Sequence, residues 1–189
     1  MTMQTPTPLV HQSLDATNRM AAELVRFVEN AQMTLDAPYQ RGSVWSVRQQ
    51  QDLVRSWLLG LPVPAIIINA RYRCPGWDTK GHEYACIDGK QRIEAARAWF
   101  HGNLAVPASW FREEHIASTI ETEDGPYVTH EHLTLSGQRY TSNRFMLPVA
   151  EARVEKVAQE AVIFGLVNGG GVPQDDETMA RAAQIAADV

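Results

Sequence analysis

The stretch that most constrains the fold lies between Ala65 and Gly102, where two strand-like runs lead without a linker into a helical pattern. Ala65–Asn69 (AIIIN) has the β-branched content of a buried strand, and Glu83–Ile87 reads as a second. The turn-rich segment Cys74–Gly81 separates them. Asp88 and Gly89 come next, and then a helix is predicted from about Lys90 to His101. Ile93, Ala96, Ala98, Trp99 and Phe100 give that helix its apolar faces, and Gly102 closes it. A strand that passes into a helix through two residues places the helix's unpaired first N–H groups at the end of the strand.

Around this centre the chain reads as helices and short strands. Ala16, Met20, Leu24, Phe27 and Val28 recur at helical steps, which predicts an amphipathic helix from about Leu14 to Met33. Ser46 followed by Gln49 reads as a capping box, opening a helix through Val47, Leu53, Val54, Trp57 and Leu58 that Gly60 ends. Pro62 and Pro64 forbid its continuation. Residues 104–147 hold short apolar stretches among turn residues, compatible with a hairpin. A further helix is predicted from about Val149 to Leu166, followed by Asn168 and a glycine run at 169–171. A last helix starts near Gln174, with Asp175, Asp176 and Glu177 at its positive end.

At 189 residues one compact unit is the default expectation. We divide it into an N-terminal helical segment (1–36), a central core (37–111), and a hairpin with C-terminal helices packed on the same domain (112–189). No apolar run approaches the roughly 20 residues a spanning helix needs, and the polar N-terminus lacks the order of a signal peptide. A cytoplasmic protein without membrane contact is expected. Cys74 and Cys86 are too few for a disulfide framework and too far apart for a CxxC motif, so reduced thiols are expected.

The formal net charge of −5 argues against wrapping a long duplex, whose non-specific affinity comes from Lys and Arg. Charge is unevenly spread, however. Residues 37–102 hold nine Lys and Arg against five Asp and Glu, while residues 103–189 hold six against thirteen. The basic surplus coincides with the Asp88-Gly89 junction and suits a small anionic ligand such as a nucleotide.

At that junction the helix N–H groups and dipole favour an anion, and Gly89 would let one approach the main chain. Lys90 and Arg92 add positive charge, Arg92 with a fork able to grip two phosphate oxygens. Asp88 would repel a phosphate unless it binds a cation, accepts a proton or pairs with an arginine. Read alone, Asp88-Gly89 is also simply a turn with Asp88 capping the helix. Upstream, Arg41 could pair with Asp36 or Asp52 at the surface, and Trp45 could anchor the following helix. Trp57 and Trp99 read as core. His130 and His132 form an isolated pair without the partners a metal site needs, and read as a solvated hairpin.

Several motifs occur together in one order: Pro38-Tyr39-Gln40-Arg41 with Trp45, Gly60-Leu61-Pro62-Val63-Pro64, Ile87-Asp88-Gly89-Lys90-Gln91-Arg92, and Asn168-Gly169-Gly170-Gly171-Val172-Pro173. In this the chain resembles the ParB/sulfiredoxin-like domain at the N-terminus of GmrSD-type restriction enzymes, whose hallmark is a DGQQR motif after a strand. The resemblance implies an α+β fold, a small mixed sheet with flanking helices and a helical C-terminal part. It also implies binding of nucleoside triphosphates, in several members with hydrolysis. Carried across by position, Asp88, Gln91 and Arg92 fall on the catalytic motif, and Gln40, Arg41, Gly89, Lys90 and Arg92 on the phosphate-binding positions. Asp88 is the candidate ligand for magnesium, the expected cofactor. Lys90 stands where the family most often has Gln, which keeps phosphate binding and puts hydrolysis in question. Full-size relatives carry an HNH-type nuclease domain that nothing here resembles, so a short stand-alone or phage-encoded member is the expectation. Three functions compete: a magnesium-dependent nucleotide hydrolase; a non-catalytic, nucleotide-gated or DNA-contacting adaptor that works through a protein partner; and a ParB-like DNA nuclease.

Overall fold

The computed structural model describes residues 8, 14–40, 42, 45–77, 81–168 and 176–187. Its first element is a strand, β1 (Asp15–Met20), and only then a helix, α1 (Ala21–Glu29). The helix predicted from Leu14 is therefore corrected in its first third. Asp15, Thr17 and Asn18 are poor helix formers, and a neighbouring strand captures them as a sheet edge. From Ala21 the apolar spacing does describe a helix, burying Ala21, Leu24 and Val25.

A two-residue strand, β2 (Met33–Thr34), leads to the loop of the first motif and then to α2 (Val47–Leu58). Ser46 and Gln49 form the capping box reciprocally: the Ser46 hydroxyl accepts from the Gln49 N–H, and the Gln49 side chain accepts from the Ser46 N–H. Gly60 ends the helix at φ 69°, its N–H donating to Trp57 and that of Leu61 to Ser56, a Schellman closure. The two expected central strands are β3 (Ile66–Ala70) and β4 (Tyr84–Asp88), and the helix after Gly89 is α3 (Lys90–Phe100).

Residues 104–147 form more than a hairpin. β5 (Val106–Pro107), β6 (Ile120–Thr122) and β7 (Gly125–Val128) make a small antiparallel sheet ordered β5-β7-β6, and α4 (Leu135–Arg144) follows under a Thr134 cap. His130 and His132 lie in a 3-10 turn, His130 packed edge-on to Trp99 and Phe100, so the solvated hairpin expected there is corrected.

The helix predicted from Val149 is a strand over its first residues: β8 (Met146–Ala152), with α5 (Val157–Asn168) after it. Leu147, Val149 and Glu151 are buried in alternation, and β8 lies between β1 and β3. In that position, pairing on both sides overrides local helix propensity. The last helix, α6 (Asp176–Ala186), matches expectation, while Gln174, Asp175 and the glycine run fall outside the described residues.

The main sheet is ordered β1-β8-β3-β4-β2 and is mixed: β8/β3 and β4/β2 are parallel, β1/β8 and β3/β4 antiparallel. With helices on it, the fold is α+β. The sheet draws strands from all three sequence segments, and residues 1–36 contribute two of them. One face carries Ile66, Ile68, Cys86 and Leu147 against Leu24, Trp57, Ile93 and Trp99 of α1 to α3. The other carries Ile67, Ile87 and Ala152 against Tyr39, Ala161 and Phe164, the latter two from α5. Trp57 and Trp99 are core, as expected, and both cysteines are free and buried. No helix among the described residues is long and apolar enough to cross a membrane.

Candidate functional site

The end of β4 is where the two helical layers separate, and a cleft of about 350 Å³ opens there. Gln40 and Trp45 line it from the loop before α2, Asp88 to Arg92 from the β4–α3 junction, and Phe164, Val167 and Asn168 from α5. The register of β3 on β4 shifts between Ile67 and Ile68, beside Ile67's partner Asp88. Such irregularities re-aim side chains at the ends of strands.

Gly89 is the N-cap of α3, at φ 103° and ψ 11°, and among the described residues no side chain caps the helix. Asp88 is thus not the cap, and the reading of Asp88-Gly89 as an ordinary capped turn is set aside. A Cβ on Gly89 would stand 2.2 Å from Ile66 Cγ2 and 3.0 Å from Arg92 Nη1. Glycine is required here by positive φ and by packing on Ile66; the side of Gly89 that lacks a Cβ faces the protein itself.

The charged residues are partly engaged. Arg92 Nη2 lies 3.5 Å from Asp88 Oδ2, both side chains mostly buried, a separation beyond the roughly 2.7–3.2 Å of an ordinary N–H···O hydrogen bond. Asp88 is the ionic partner of Arg92 among the described residues. Lys90 donates to Asp36 Oδ1 at 2.8 Å and lies 3.9 Å from Glu94. Lys90's side chain is only 13% exposed while that of Asp36 is 89% exposed, so a sheltered cation is held by a carboxylate standing in water. Asp36 therefore serves Lys90; Asp52 lies near Arg48, and Arg41 is outside the described residues.

The two glutamines hold main chain together. Gln40 Nε2 donates to the carbonyls of Cys86 and Ile87, at 2.8 and 2.7 Å, tying the first motif to β4. Its Oε1 is buried and has no hydrogen-bond partner among the described residues. Gln91 Oε1 accepts from the Trp45 N–H at 3.0 Å, and its Nε2 lies 3.5 Å from the Gly42 carbonyl. Gln91 was expected as catalytic; the structure places its amide on the backbone of the upstream loop. Trp45 is both a partner of the core and a wall of the cleft.

Behind the cleft lies a buried network with no local sequence signal. Glu160 of α5 is fully buried and accepts from Arg71 Nε and Nη2 at 2.9 and 2.7 Å, and from Asn69 Nδ2 at 2.8 Å. The Tyr39 hydroxyl, next in sequence to Gln40, donates to it at 3.3 Å. Burial, and then the Glu160 charge, push the Tyr39 phenol far above its usual range, so it stays protonated. Arg71 also stacks on Trp77, 4.2 Å from the ring centre. Glu160, the one charged residue of α5, is the hint the sequence holds. Beneath Asp88, burial first and the Asp88 charge second raise the Cys86 thiol well above its usual value, which keeps it unreactive.

Among the described residues no group of three or more His, Cys, Asp or Glu is placed to hold a metal ion. Asp88 is the carboxylate that lines the cleft, and it is the residue there that could hold a divalent cation.

A family model described as GmrSD restriction endonuclease, N-terminal domain, matches residues 24–183. No curated protein and no solved structure matches the chain. The matched span contains every strand of the main sheet except β1 and all the residues of the cleft, and the chain belongs to the family of GmrSD restriction endonuclease N-terminal domains.

Proposed function

We propose that the cleft binds the polyphosphate of a nucleoside triphosphate and, with magnesium, hydrolyses it, in the service of a restriction or defence system. The observation that supports this best is the convergence of an uncapped helix start, two cations and one carboxylate on a single cleft. Arg92 grips phosphate oxygens with its guanidinium, and Lys90 exchanges the water-exposed Asp36 for the ligand. The N–H groups of the first turn of α3 add their dipole, and Gln40 and Gln91 hold the upstream loop to β4 and α3 beside the ligand. Magnesium, bound to Asp88 and phosphate, would neutralise charge on the phosphoryl group. Asp88 orients the water; the water's oxygen bonds to the terminal phosphorus as the bridging P–O bond breaks, the nucleoside diphosphate leaves, and the water's proton passes to a phosphate oxygen. Phosphate release from a panel of triphosphates is expected to exceed that of Asp88→Ala by at least about tenfold. Equal rates would remove hydrolysis from the proposal.

A second reading has its own support. With Gln91 committed to Trp45 and Arg92 beside Asp88, one carboxylate must serve both metal and water. A module that binds nucleotide without turnover, and passes the state to DNA or a protein partner, needs no more than that. Thermal stabilisation by triphosphate without phosphate release would select this reading, since a ligand that binds only the folded form raises apparent stability.

A further inference from the structure

A second, smaller pocket lies at the far end of α2. Trp45, at the cleft, stands just before the first turn of this helix, and Arg55 and Leu58 lie in its last. Twelve residues at 1.5 Å each put the two ends about 18 Å apart. There Leu58, Trp110, Phe111, Arg112, His115 and Tyr140 enclose a cavity of about 110 Å³. It is far below the roughly 300 Å³ of a drug-sized ligand site, and its walls are planar. The rings of His115 and Tyr140 lie 5.0 Å apart at 34°, and Phe111, stacked on the core residue Trp99, also lines the cavity.

Three guanidiniums accompany these rings. Arg55 lies over Trp110, 5.9 Å from its centre, and Arg144 over Tyr140 at 4.8 Å. Arg112 is 81% exposed, with Glu114, itself 69% exposed, 3.6 Å away. Arg55 and Arg144 make no ion pair among the described residues. Packing the small sheet would require the rings but not the arginines. An arginine held over a ring by its charge keeps N–H groups available to an anion. The surplus is local and lies in a chain of net charge −5, with two of its members inside the acidic half.

We infer that this pocket takes one unstacked base of a nucleic-acid strand, with Arg55, Arg112 and Arg144 on the neighbouring phosphates. Aromatic walls suit any base's flat face, which a duplex hides and a single strand offers. The pocket shares no residue with the nucleotide cleft, so neither reading depends on the other.

The test is fluorescence anisotropy of a labelled single-stranded oligonucleotide of about 15 residues, and of its duplex, titrated with the whole chain in about 50 mM salt. The single strand is expected to bind at least about tenfold more tightly than the duplex. Tyr140→Ala should weaken it roughly tenfold or more, while Tyr140→Phe, which keeps the ring, stays within about twofold of the parent. Arg112→Gln with Arg144→Gln, both at the surface, should lower the slope of log affinity against log salt by about 1.4, near 0.7 per phosphate. No binding by the parent chain, equal affinity for duplex, or an unchanged slope in the double variant would overturn the proposal.

Discussion

Gly89 holds the site's geometry through what it lacks. Its backbone sits at φ 103°, and Ile66 fills the space a Cβ would need. Gly89→Ala combines left-handed strain with overpacking, so a loss of about 3 kcal/mol or more is expected in urea denaturation. A loss under about 1 kcal/mol would show that β4 and Ile66 yield easily. Gln91→Ala leaves the Trp45 N–H without its acceptor, and about 1–2 kcal/mol of stability should go with it, read in the same experiment. His130 gives a pH dependence of known sign. Burial against Trp99 and Phe100 holds its pKa below the ordinary 6.5, so the unfolded chain takes up the proton first as pH falls. Its contribution to stability is full above 6.5 and is lost as pH drops toward the lowered folded value. The urea midpoint should therefore fall less between about pH 7.5 and 5.5 in His130→Gln than in the parent.

Among the elements, α5 joins the core to the cleft. Glu160 is clamped by Arg71 and Asn69 on one of its turns, and Phe164, Val167 and Asn168 face the cleft on the next two. Removing one partner of a buried ion pair strands the other, so Arg71→Ala should cost about 3–5 kcal/mol in chemical denaturation. Tyr39→Phe, which keeps the ring on Phe164, should cost only about 1 kcal/mol. This network was beyond the reach of the sequence because Tyr39, Asn69 and Arg71 lie 89 to 121 positions from Glu160 and obey no local pattern with it. What was legible is local: the Ser46–Gln49 box, the Gly60 closure and the β4–α3 junction are written within a few residues each. β1 and β8 were read as helix because Met20 and Leu24 keep helical spacing, and Val149 to Ala152 resembles a helix start. Only their pairing with each other, and of β8 with β3, makes them strands. The cleft was legible by motif at Asp88 to Arg92, yet the wall from α5 and the hold of Asp36 on Lys90 were not.

On the scale of the whole molecule, an acidic chain sets Lys90 and Arg92 in the cleft at one end of α2 and Arg55, Arg112 and Arg144 around the aromatic pocket at the other. The sheet unites them: β4 ends at the cleft, and the helical layer on one of its faces supports the aromatic pocket. A net charge of −5 suits recognition of short anionic groups rather than wrapping of long DNA. The most direct measurement is calorimetric titration of the chain and of Arg92→Ala with a non-hydrolysable triphosphate in magnesium. The parent should bind, and the variant should bind about 10- to 100-fold more weakly, as loss of a charge-assisted contact requires. Equal affinities, or no binding by the parent, would contradict a phosphate site at the start of α3.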